Sequence, residues 1–188
     1  MKRCRLFLSR LLPLLFIFLL DPASILPVLL AALIHEGGHL AAARLFKMPL
    51  SSLTADVSGV RFSFSANLAS YKKDALLALA GPAANLLAAL LLIPLLRHFP
   101  REEIFFLFFA QIGAMALNLL PLETLDGGRA LYALLCLFFS PGAATGTLRV
   151  LCPVILVPLT LFGVYLFSKG EGAVLFLSVL LWAQAREG

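Results

Sequence analysis

His35 and His39 stand four residues apart in IHEGGHL, Ile34 to Leu40, with Glu36 directly after the first. On an α-helix, residues i and i+4 share one face, so the two imidazoles can hold one ion, and zinc suits such nitrogen ligands. Glu36 then lies beside the ion as a candidate general base, the arrangement of the HExxH motif. A zinc that activates water wants three protein ligands and an open position. The third must come from elsewhere in the chain. The stretch Asn118–Arg129, NLLPLETLDGGR, offers two carboxylates. Asp126 is the better candidate because Gly127 and Gly128 leave room for close approach, and Glu123, three residues earlier, is its competitor.

These residues lie in apolar surroundings. The motif sits within Ile25–Phe46, a run of about the ~20 residues that a bilayer core requires, where polar side chains are costly unless they serve a purpose. Of 188 residues, 61% are hydrophobic and 13% charged, and the mean hydropathy is +0.99, more apolar surface than a soluble domain of this size can bury. The fold expected is an all-α polytopic membrane protein of about six transmembrane helices. The spans run from Leu6 to Leu20, Ile25 to Phe46, Ala75 to Leu96, Ile104 to about Leu120, Thr145 to Phe167 and Gly172 to Ala185. The first is short and follows a basic N-terminus with no convincing cleavage site, so it reads as an uncleaved span. Pro121 should break the fourth helix, leaving Asp126 on irregular backbone at membrane depth, with Ala130–Phe139 as a half-helix.

The polar interval Lys47–Asp74 separates the second and third helices. Val60–Ala66, VRFSFSA, alternates apolar and polar residues after Gly59, which fits a small cytosolic-side β-hairpin or strand, or else an amphipathic connector on the lipid surface. A strand there could pair by its free edge with an extended peptide. Of the 15 basic residues, all but Arg97, Arg101 and Lys169 fall on the inner side of this topology, so the motif faces the cytosol. The net charge of +5 is spread over short loops and does not indicate nucleic acid. Cys4, Cys136 and Cys152 have neither disulfide nor CxxC spacing.

The chain resembles the site-2 protease family of intramembrane zinc metalloproteases. Three segments carry the resemblance: HEGGH at His35–His39, GPAAN at Gly81–Asn85 as its GxxxN element, and NLLPLETLDG at Asn118–Gly127 as its NxxPxxxxDG element. The family implies His35, His39 and Asp126 as Zn2+ ligands, Glu36 as the catalytic base, and Asn85 and Asn118 as residues that orient substrate or line the site. The compact layout, one domain over 1–188 with a core of about 25–126 and no inserted PDZ domain, is similar to the group that releases a sporulation sigma factor from its membrane-tethered precursor. Many members of that group carry a CBS domain that is not expected here. Relatives often hold prolines between Pro121 and Asp126, where this chain reads Leu-Glu-Thr-Leu.

The function expected is therefore zinc-dependent endoproteolysis of a protein with a transmembrane or membrane-associated segment, in a bacterial cell membrane, with the lipid bilayer and an inhibitory membrane partner as further contacts. Glu36 takes a proton from water and passes it to the leaving amine. The alternative is a non-proteolytic binding partner or metal carrier on the same fold.

Overall fold

A computed structural model describes residues 22–47, 50–56, 59–64 and 71–185. The expected first span, Leu6–Leu20, lies outside them. Helix α1 runs Pro22–Leu45 and stops where Lys47 takes a left-handed backbone, φ 53°, its N–H donating to the Arg44 carbonyl at 3.0 Å. Strands β1 (Leu50–Asp56) and β2 (Gly59–Phe64) follow, paired antiparallel from Asp56 opposite Gly59 to Leu50 opposite Phe64, with an irregularity between Leu50 and Ser52. Helix α2 spans Tyr71–His98, α3 Glu102–Asn118, α4 Asp126–Leu135, α5 Pro141–Phe167 and α6 Ala173–Ala185.

Among the described residues, three helices are long and apolar enough to cross a membrane: Ile25–Leu45 within α1, α2 and α5. The other two expected spans fall short of that standard. At 1.5 Å per residue, α3 with 17 residues is about 26 Å long and α6 with 13 about 20 Å, against a hydrocarbon core of about 30 Å. Helix α5 begins at Pro141 rather than Thr145, because the Ser140 hydroxyl caps it by accepting from the Ala143 N–H at 3.3 Å and Pro141 sits where a missing N–H is harmless.

Helix α2 is central, packing against α1, α3 and α4, while α5 packs against α6 and α4. The residues buried between helices are mostly small: Ala31, Ala43, Ala75, Ala78, Ala89, Ala130, Ala133 and Ala144. Large side chains such as Leu33, Leu91, Val150 and Leu161 point outward. Lipid is as apolar as leucine, so close van der Waals approach, which small residues permit, holds such helices together. A second cluster of Leu122, Leu156 and Leu181 ties the turn after α3 to α5 and α6. Beside it the Trp182 indole donates to the Thr160 hydroxyl at 3.1 Å.

The turn after α3 differs from expectation in one respect: Asp126 is not on irregular backbone but opens α4. The irregular stretch is Leu119–Leu125. Pro121 has no N–H to continue α3, and Leu125, extended at φ −105° and ψ 164°, starts the next helix. A carboxylate in the first turn suits the positive end of the helix dipole. Gly127 and Gly128 then allow that turn to press on backbone. A Cβ on Gly127 would meet the Leu119 carbonyl, and one on Gly128 the Leu122 carbonyl.

Candidate metal centre

Helix geometry alone places His35 and His39 one turn apart on the buried face of α1, 6% and 8% exposed. The face is turned toward α2, where Gly38 lies against the Ala80 carbonyl so closely that a Cβ would stand 2.5 Å from it. Helix α4 brings in Asp126, 8% exposed, from 91 residues beyond His35. Its Oδ2 lies 2.8 Å from His35 Nε2 and 3.0 Å from His39 Nε2, and the two Nε2 atoms are 3.2 Å apart. Asp126 Oδ1 faces Arg129, whose Nη1 is 3.6 Å away.

The far side of each imidazole is also held. His39 Nδ1 donates to the Leu77 carbonyl at 2.8 Å, and His35 Nδ1 lies 2.8 Å from Asn85 Oδ1. The Asn85 amide nitrogen donates to the Ala31 carbonyl at 3.0 Å, which can only accept, so Asn85 presents its oxygen to His35. Both neutral rings therefore carry the proton on Nδ1 and turn an Nε2 lone pair inward. Two lone pairs and a carboxylate oxygen converging with no proton among them form a cation site. Tetrahedral zinc with ligands at about 2.0–2.1 Å needs them about 3.3 Å apart, so these atoms need only part by a few tenths of an ångström. Gly81 supplies the remaining space: a Cβ there would overlap His39 Nε2 and lie 2.7 Å from His35 Nε2. The donor set fits zinc, and among the described residues His35, His39 and Asp126 are the group able to hold a metal ion.

Glu36 is half-buried next to His35, within electrostatic reach of both imidazoles, Asp126 and Arg129. Glu123, the competitor for third ligand, is not in the cluster. One of its oxygens is buried and has no hydrogen-bond partner among the described residues. The two asparagines are placed differently. Asn85 is wholly buried behind His35, with its amide donating to Ala31 and, at 2.6 Å, to Gln111 Oε1. Asn118 donates to the Ala114 carbonyl at 2.9 Å within its own helix. Gln111 is the residue that sequence reasoning missed; a glutamine in the apolar run IFFLFFAQIGAMAL was the available signal.

No family model matches the chain. Its structure is similar to that of the site-2 protease from Methanocaldococcus jannaschii, with a TM-score of 0.73 over 96% of this chain and 87% of that one, at 16% sequence identity. The chain has the site-2 protease fold. In sequence, it is 46% identical over 67 residues to a protein of Mycolicibacterium smegmatis named "Putative zinc metalloprotease Rip2", a match covering 32% of this chain. The matched stretch spans 26% of that relative's length.

Proposed function

We propose that the chain is an intramembrane zinc endopeptidase of the site-2 protease family, cutting a membrane-associated protein within or beside its membrane segment. The observation that carries this is the convergence of His35 Nε2, His39 Nε2 and Asp126 Oδ2 at 2.8–3.2 Å, with Glu36 adjacent. Fold similarity and the partial likeness to a named metalloprotease support the same reading.

His35, His39 and Asp126 hold the zinc, which when bound polarises a carbonyl and acidifies water. Glu36 accepts the proton of the attacking water and returns it to the nitrogen of the departing amine, so that a peptide bond is replaced by a carboxylate and an amine. Leu77 and Asn85 hold the two rings in the tautomer that directs Nε2 inward. A helical substrate has its amides tied up internally and must be extended before attack. The distribution of basic residues favours a cytosol-facing site in a bacterial cell membrane, and a membrane-tethered transcription factor such as a pro-sigma factor is a substrate of the right kind.

The test is zinc content per chain in detergent-purified protein, with Asp126→Ala and Glu123→Ala alongside. Near-stoichiometric zinc that is lost with Asp126→Ala and kept with Glu123→Ala is expected. Absence of zinc from the reconstituted parent would overturn the reading and favour a non-proteolytic binding partner.

A further inference from the structure

Helix α3 has a single buried residue, Gln111, and it is wholly inaccessible. A primary amide on a helix otherwise lined by Phe105, Phe106, Phe109 and similar side chains is unfavourable unless it is used. One half is used: Gln111 Oε1 accepts from Asn85 Nδ2 at 2.6 Å, the shortest hydrogen bond around the site. The other half is not: among the described residues the buried Gln111 Nε2 has no hydrogen-bond partner.

That asymmetry follows from a chain of constraints. The Ala31 carbonyl, one turn before His35, can only accept, so the Asn85 amide nitrogen faces it. The second N–H of that nitrogen then requires an acceptor, and Gln111 must turn its oxygen toward it. Its own amide nitrogen is consequently left without a partner. A residue placed only to fill space between α3 and its neighbours would be apolar and incur no such penalty. The hydrogen bond of Gln111 goes not to a metal ligand but to the residue that holds one.

We infer that Gln111 is a positioning residue for the metal centre, fixing Asn85 and through it the imidazole of His35 in the orientation that turns Nε2 toward His39 and Asp126. The inference rests on the zinc-site reading above. It makes the centre a product of three helices besides α4: α1 supplies the imidazole, α2 the asparagine and α3 the glutamine. Helix α3 thereby shapes the site while contributing no ligand.

Zinc affinity is measured by competition with a chromophoric chelator in detergent, for the parent, His39→Ala, Gln111→Met, Asn85→Ala and the Gln111→Met/Asn85→Ala double variant. Thermal unfolding of each metal-free protein reports folding. Outer groups that orient metal ligands typically contribute 10- to 100-fold in affinity, and Gln111→Met is expected to weaken zinc by on the order of 10-fold. Asn85→Ala weakens it at least as much, and the double variant is no weaker than Asn85→Ala alone, since Gln111 acts only through Asn85. Gln111→Glu keeps an acceptor oxygen and is expected to bind zinc at least as tightly as the parent. It decides the matter if Gln111→Met does not fold. Parent-like affinity in Gln111→Met, a double variant whose loss is the sum of the two, or a Gln111→Glu protein as weak as Asn85→Ala would overturn the inference. A parent no tighter than His39→Ala would instead overturn the zinc-site reading itself, and this inference with it.

Discussion

Gly81 of α2 stands directly against His39 of α1: its missing side chain is the space in which the imidazole nitrogens of His39 and His35 face Asp126. A Cβ there would lie 2.7 Å from His35 Nε2 and closer still to His39 Nε2. Gly81→Ala is therefore expected to displace the rings and reduce zinc to the level of His39→Ala. The metal-free protein should lose at most about 1–3 kcal/mol of stability, since overpacking against the rings is partly offset by the better helix propensity of alanine. Parent-like zinc content in Gly81→Ala would show that the rings can move aside and still bind.

At the turn before α4 the obstacle is backbone rather than side chain. Gly127 and Gly128 press on the Leu119 and Leu122 carbonyls, which lie on a turn whose Leu122 is 1% exposed in a leucine cluster and cannot readily shift. Alanine at either position should destabilise the fold by about 1–3 kcal/mol, as overpacking does, and lower zinc affinity by moving Asp126. Denaturation in mixed micelles, read beside zinc content, checks both; a loss of stability without a loss of zinc would separate the turn from the site.

Glu36→Gln separates chemistry from binding. It leaves His35, His39 and Asp126 in place, so zinc should bind within about twofold of the parent. Peptide cleavage should fall by about 10²–10⁴-fold, the usual contribution of a positioned proton-transfer group. Function that persists unchanged in Glu36→Gln would point to a carrier or scaffold.

Zinc should also stabilise the folded state. A ligand at 100 times its Kd adds about 2.7 kcal/mol, so the parent should melt at a higher temperature with zinc than after chelation. Asp126→Ala should lose most of that difference and Glu123→Ala should keep it. Equal shifts in parent and Asp126→Ala would place the zinc elsewhere on the chain.

Some of this was readable before any fold was known. The four-residue spacing of His35 and His39 sets a common helix face through backbone geometry alone, and the apolar runs around Ile25–Phe46 and Thr145–Phe167 declare bilayer-length helices because hydrocarbon demands both length and composition. The Gly127–Gly128 pair also announced a close approach. Local rules went astray at helix starts: Pro121 marked the end of α3, but the resumption at Asp126 depends on Leu125 being extended, and the Ser140–Pro141 cap was overlooked. Strand β1, LSSLTAD, lacks a strong alternating pattern and shows itself only beside β2.

What tertiary structure alone decided was which distant groups meet. Asp126 rather than Glu123 faces the histidines, although the two are three residues apart, because Asp126 opens α4 while Glu123 lies on the turn before it. Asn85 stands behind His35, and Gln111 completes its hydrogen bonds from a third helix. Periodicity is a property of neighbouring residues and can be read along the chain. Convergence to within 3.2 Å depends on how closely α1, α2, α3 and α4 approach, and that is set by the alanines and glycines between them.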